Sequence, residues 1–256
     1  MAAVEIYLQA LKHLYERQAN PDAAVAMRAY MRNQFEFLGI KSPAAKGLLR
    51  ELMTEQGLPE PKHLEAIVQA LWGWPEREYL YAALTLLDKL QKMLTLAAGP
   101  LLAYLITTKS WWDTVDSIAI HNVGKLLRQY PAGRDRTLAP WRRSDNLWLR
   151  RTTLLCQLDY KTDTDEQLLF ALVAENRVSS EFFIQKAIGW ALREYSKTAP
   201  ETVKSFVAST ELAPLSRREA LKWMKAKGQL KAGKMARFSE TAQQLWLPDF
   251  GFSLNG

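Results

Sequence analysis

Apolar residues recur at spacings of three and four along almost the whole chain, and no stretch sustains the every-second-residue alternation of a half-buried strand. That periodicity points to an all-α architecture. The opening segment sets the pattern, with Val4, Leu8, Leu11, Leu14 and Tyr15 on one stripe. Followed along the chain, it predicts helices over 3–18, 21–34, 43–56, 61–72, 76–93, 97–108, 110–128, 133–142, 145–158, 165–175, 180–195, 199–208 and 216–227. Four of the starts look capped: Ser42 before Pro43, Ser110 before Asp113, Thr198 before Pro200 and Glu201, and Ser216 before Glu219. In each, a hydroxyl can accept from a free backbone N–H while a proline or carboxylate occupies the first turn.

These helices repeat weakly. Tyr79, Trp112, Trp148, Phe183 and Ala220 stand early in successive helices, at steps of 33, 36, 35 and 37 residues. A step of that length holds one two-helix hairpin, which buries its apolar face only by stacking on the next. The expected fold is therefore a curved solenoid of helical repeats, an α–α superhelix. The units share little identity and lack tetratricopeptide signatures, which is similar to divergent HEAT-like repeats. A non-repetitive helical bundle is the alternative. One domain is expected over 1–228, followed by a basic and aromatic tail over 229–256 that ends in LWLPDFGFSLNG.

Charge adds a partner class. The chain carries a net +7, and eight basic residues between Arg217 and Arg237 oppose only Glu219, so this segment nets +7 and the remainder sums to zero. A second concentration runs through Arg128, Arg134, Arg136, Arg142, Arg143, Arg150 and Arg151. Clustered cations attract a polyanion, although a solvated charged face has the same composition. No apolar run approaches the ~20 residues of a membrane span, and MAAVEIYLQALKHLYERQ reads as an amphipathic helix and not a signal peptide. With Cys156 as the single cysteine, no disulfide framework exists, and a reducing cytoplasm is the expected compartment.

Several familiar sites are missing from the sequence. His13, His63 and His121 lack ligand spacing, so neither metal nor cofactor is expected, and there is no phosphate-binding glycine loop or nucleophile elbow. Cys156 sits in an apolar run and reads as a core residue. The informative segment is Ser110–Ala119, SWWDTVDSIA. On a helix Trp111, Val115 and Ile118 share one stripe, and Trp112 and Asp116 share the next, offset by about 100°. If the first stripe faces the core, the second presents an indole and a carboxylate side by side along a groove, or else serves structure alone. Asp113 complements the helix start and its dipole. Arg150 and Arg151 also diverge by about 100°, so one can project outward while the other pairs elsewhere. Gly189, ahead of Trp190 in a good helix, costs roughly 1 kcal/mol against alanine and suits a close helix approach.

Taken together, MRAYMRNQFEFLGIKSP, WGWPEREY, TTKSWWDTVDSIA, SDNLWLRRT, SSEFFIQKAIGWALREYSKTAP and ELAPLSRREALK resemble the AlkD family of bacterial alkylpurine DNA glycosylases, in the same order and with similar spacing from residue 5 to 228. The resemblance implies a HEAT-like solenoid with duplex DNA in a basic groove. It also implies cleavage of the N-glycosidic bond of cationic lesions such as 3-methyladenine and 7-methylguanine, without flipping the base into a pocket. It assigns Asp116 as the catalytic carboxylate, Trp112 and Trp190 to the deoxyribose and phosphates, Arg151 to the backbone near the lesion, and Tyr30 to the groove. Arg150, Lys186, Arg217 and Arg218 are the other expected DNA contacts. No lysine nucleophile is required, so strand cleavage is not expected, and a DNA-binding arc needs no second subunit, so a monomer is. The rival class is a non-catalytic helical-repeat scaffold binding DNA or protein. An RNA-binding repeat protein would show matched base-reading side chains from unit to unit, and these units do not.

Overall fold

The structure, a computed structural model, describes residues 2–228. Its helices in chain order are α1 (Ala2–Glu16), α2 (Pro21–Tyr30), α3 (Ser42–Gln56), α4 (Pro61–Gly73), α5 (Arg77–Lys89), α6 (Gly99–Thr107) and α7 (Trp112–Ser117). Helix α7 runs through a π-helical segment, Ile118–Gly124, into α8 (Lys125–Gln129). Then come α9 (Arg134–Arg142), α10 (Leu147–Leu155), α11 (Glu166–Asn176), α12 (Phe182–Ser196), α13 (Pro200–Ser209) and α14 (Pro214–Ala226). Among the described residues the β-type pairing is a single bridge, Glu36 to Glu76. The expected tail over 229–256, with Lys231, Lys234 and Arg237, lies outside the described residues.

The helices form two rows. In one, α5, α7, α10, α12 and α14 touch in succession; in the other, α4, α6, α9, α11 and α13 each back the helix that follows. Polar contacts between hairpins keep one period. Trp72 Nε1 donates to the Thr108 carbonyl 36 residues on, Arg77 reaches Asp113 across 36, Lys125 reaches Asp88 across 37, and Arg151 reaches Asp116 across 35. A chain whose long-range bonds span about one repeat is a superhelix of stacked hairpins, not an irregular bundle. The apolar stripes do the packing: Leu71, Leu80, Leu86, Leu105, Val115, Ile118, Leu155, Ile188 and Leu192 are all fully buried.

All four expected hydroxyl caps fail. The cap positions of α3, α7, α13 and α14 are Lys41, Trp111, Ala199 and Ala213, and none makes a side-chain cap bond. In α3, α13 and α14 the start is set by Pro43, Pro200 and Pro214, whose fixed φ and missing N–H suit a first turn. The side-chain caps belong to Asn20, Asn146 and Asp165, heading α2, α10 and α11. Repeat register shifts for the same reason. Tyr79, Trp112, Trp148 and Phe183 fall within the first three residues of α5, α7, α10 and α12, whereas Pro214 starts α14 early and leaves Ala220 seventh.

Close approach at Gly189 joins α12 to α14. A Cβ there would collide with the Glu219 Cβ and lie 3.0 Å from the Ser216 carbonyl oxygen. Ser216 is buried inside α14 and donates through Oγ to the Gln185 carbonyl at 3.0 Å. Helix propensity alone makes Gly189→Ala stabilising by about 1 kcal/mol. Overpacking against backbone outweighs it, so the variant is expected to be less stable by about 1–3 kcal/mol in urea unfolding. A stabilised variant would mean that α12 and α14 separate freely.

Candidate functional site

Helix α7 begins abruptly. Lys109 adopts a left-handed backbone, φ 50°, and Trp111 is extended before Trp112 turns into the helix. Ser110 does not cap it; its Oγ donates back to the Ile106 carbonyl at 2.6 Å. Val115 and Ile118 are fully buried, and Trp111 packs on Trp148 and Phe183 at ring separations of 5.9 and 5.2 Å. The expected core stripe therefore holds. Trp112 and Asp116 occupy the neighbouring stripe, and Trp112 meets the edge of Tyr30 at 6.2 Å. Tyr30 ends α2 and is 36% exposed.

Asp116 is gripped by Arg151. Nε donates to Oδ1 at 2.7 Å and Nη2 to Oδ2 at 2.8 Å, a two-point fork, while Nη1 donates to the Phe183 carbonyl. The guanidinium also lies over the Phe183 ring, 5.8 Å from its centre. Three of the five guanidinium N–H donors are thus taken up inside the protein, and the fork holds the carboxylate in one orientation. The Asp116 side chain keeps 13% exposure against 5% for Arg151, so Asp116 is the less buried partner of the pair. Each carboxylate oxygen retains acceptor capacity after the fork. Burial pushes the Asp116 carboxyl above the ordinary aspartate range; Arg151 opposes that, and Asp113 adds a smaller upward push.

Asp113, one turn earlier, is held from the opposite side. Arg77 donates to both of its oxygens at 2.9 and 2.7 Å, and Tyr81 donates its hydroxyl at 2.7 Å. Its expected place near the helix start stands, but its main work is this buried ion pair. Sequence reasoning missed Arg77, because an arginine at a helix start reads as solvated. The one available signal was its place inside WGWPEREY.

The remaining candidates spread along the same row of helices. Phe183, Lys186 and Trp190 share a face of α12, with Trp190 about 10 Å beyond Phe183 along the axis. Trp190 is half-buried. Lys186 lies 3.3 Å from Glu219, and burial lowers its ammonium below the ordinary lysine range while Glu219 pulls the other way. Arg150 is half-buried and donates to the Ser144 carbonyl in the turn ahead of its own helix. Arg217 and Arg218 are exposed on α14, as are Lys222 and Lys225, and Lys227 is exposed just past its end. Four of the seven arginines in the second basic concentration are ion-paired: Arg128 with Asp163, Arg134 with Asp165, Arg142 with Glu175 and Arg151 with Asp116.

Two surface hollows, one lined by Ala2, Val4, Glu5, His63 and Ala66 and the other by Ala139, Arg142, Arg143 and Glu175, contain none of the candidate residues. Among the described residues, no three His, Cys, Asp or Glu side chains gather to hold a metal, and no helix is long and apolar enough to cross a membrane.

Comparison with known proteins converges on one family. A family model described as DNA alkylation repair enzyme matches residues 11–224. A solved structure of a predicted DNA alkylation repair enzyme from Enterococcus faecalis is 35% identical, with a TM-score of 0.75, covering 80% of this chain and 96% of its own. Comparison with curated proteins finds no match.

Proposed function

Because the chain belongs to the DNA alkylation repair enzyme family, we propose that it is an alkylpurine DNA glycosylase of the AlkD type, which hydrolyses the N-glycosidic bond of cationic 3-methyladenine and 7-methylguanine in duplex DNA. The observation that carries the reading is the Asp116 carboxylate, forked by Arg151 and standing on one stripe with Trp112. A cationic purine is already a good leaving group, so no strong acid is needed to protonate it. As the bond breaks, positive charge moves to the sugar. A carboxylate ~4 Å away interacts with that charge by about 4 kcal/mol at an effective dielectric near 20, before Arg151 is counted against it. Arg151 fixes the carboxylate in advance, so little reorganisation accompanies bond cleavage. The carboxylate, with acceptor capacity left on its oxygens, can also orient the attacking water. Indole faces at Trp112 and Trp190 suit the C–H edge and growing cationic character of the sugar. No resident metal or cofactor enters this chemistry, and a single copy of the chain in the cytoplasm suffices for it.

The test is release of free base. Duplex DNA carrying a single 7-methylguanine is incubated with the protein, and free 7-methylguanine is scored against an unmodified duplex. Release above the spontaneous rate, leaving an abasic site in an unbroken strand, supports the proposal. No release under single-turnover conditions overturns it.

One observation favours a second reading. The Asp113–Arg77 pair repeats the same fork on the same helix in the interior, so such a pair can serve structure alone. A helical-repeat scaffold that binds duplex DNA without cleaving it would then release no base from any lesion.

Under the first reading, α14 supplies much of the phosphate attraction. Affinity for duplex DNA should fall with salt at a log–log slope of about −0.9 per phosphate contacted. Replacing Arg217 and Arg218 together by alanine should flatten that slope by roughly 0.9 for each side chain that touches phosphate. Binding titrations over a range of salt concentrations check this, and an unchanged slope removes these two residues from the interface.

A further inference from the structure

The walls of the candidate site enter it through strained backbone. After Tyr30, Arg32 and Asn33 both have φ of 55°, and before Trp112, Lys109 has φ of 50°. Residues other than glycine hold such conformations only where their surroundings impose them. Both strained segments are tied to one side chain. The Arg77 guanidinium, 1% exposed, donates to the Asp113 carboxylate, to the Lys109 carbonyl at 2.7 Å and to Thr114 Oγ1 at 3.0 Å. Its planar face lies 3.8 Å from the centre of the Phe35 ring, in the segment that follows Tyr30. Its backbone N–H donates to the Glu36 carbonyl at 2.8 Å. The next residue, Glu78, accepts from the N–H groups of Leu38, Gly39 and Ile40 at 3.0, 2.9 and 3.0 Å.

We infer that Arg77 is a positioning residue of this site, its single buried guanidinium setting the Tyr30–Trp112 aromatic wall against Asp116. This rests on the glycosylase reading for its kinetic consequence, though not for its structural one. Arg77 acts through Phe35 on one side and through Lys109, Asp113 and Thr114 on the other, and Phe35, Trp111 and Trp112 all pack on the small cluster of Ala24, Met31 and Phe37. Only a planar, forked cation can meet all these partners at once. Lysine keeps the charge but is a point donor on a flexible stem.

Arg77→Lys is therefore the variant to make, with Tyr81→Phe as the milder one. Tyr81→Phe removes one bond to Asp113 and leaves the guanidinium in place. Two readouts are taken on each folded variant. The first is the rate constant for 7-methylguanine release at saturating enzyme, which a reduced folded fraction does not alter. Displacing a reacting group by about 1 Å costs up to a hundredfold, so a fall of about tenfold is expected for Arg77→Lys, and a smaller one for Tyr81→Phe. The second is the fluorine NMR signal of 5-fluorotryptophan at position 112, assigned with Trp112→Phe. It should shift or broaden in Arg77→Lys while the Trp190 signal stays in place. A release rate within twofold of wild type, or an unmoved Trp112 signal, overturns the inference. If Arg77→Lys does not fold, the same two readouts on Arg77→Gln, which keeps a planar donor group but loses the fork and the charge, decide it by the same criterion. A wild type that releases no base overturns the glycosylase reading instead, and the fluorine signal still decides whether Arg77 holds the wall.

Discussion

Asp116→Asn should release 7-methylguanine about a hundredfold more slowly than wild type at saturating enzyme, the usual cost of losing one preorganised electrostatic group. The loss has two sources. The amide carries no charge to oppose the cation forming on the sugar, and it cannot accept both arms of the Arg151 fork. The same change leaves Arg151 buried and poorly paired, which destabilises the fold by about 3 kcal/mol. A rate constant at saturating enzyme separates the two effects, because unfolded molecules lower the amount of enzyme and not the rate of the folded form. Equal rates for wild type and variant would return Asp116 to the class of Asp113, a carboxylate serving structure. The pH dependence carries the same signature. Burial raises the Asp116 carboxyl, and the ionised form is the working one. Activity should thus be full above that raised value and fall as pH drops through it, at a higher pH than an ordinary aspartate would give. In Asp116→Asn, that acid-side fall should disappear.

Release should follow the charge of the base more than its shape. Cationic 3-methyladenine and 7-methylguanine are expected to leave, while neutral hypoxanthine and ethenoadenine stay attached. The argument is chemical. Asp116 and the indoles address the sugar, and no acid among the candidate residues is placed to protonate a neutral purine. An enzyme that reads an extruded base would instead discriminate by hydrogen bonds and fit within a pocket. Four matched duplexes at one pH, one for each base, make the comparison. Efficient excision of either neutral base would show that a base-recognition surface exists beyond Trp112 and Asp116.

The two kinds of result came from different ranges of interaction. Helix identity, the core stripe of Trp111, Val115 and Ile118, and the pairing of Trp112 with Asp116 on the next stripe follow from spacing within one or two turns, and these were legible. So was the close approach at Gly189, where a poor helix former inside a good helix needs a steric reason. The hydroxyl caps were misread because a serine or threonine near a helix start competes with proline, and the pre-set φ of Pro43, Pro200 and Pro214 decided where three of the helices begin. The pairing of Arg151 with Asp116 was not legible, since spacing says that an arginine projects and not which acceptor it finds.

What the sequence determined by itself is a chain of amphipathic helices at a step near 35 residues, with an indole and a carboxylate on one stripe beside the core stripe. The tertiary structure alone decided that Asp116 is forked by Arg151, that Asp113 is forked by Arg77, and that Phe35 lies against that same guanidinium. The reason is physical. Apolar periodicity specifies which face is buried, because burial acts on every residue of a stripe in the same direction. An ion pair across one repeat depends on two side chains meeting in a low-dielectric interior, and each alone reads as an ordinary solvated charge.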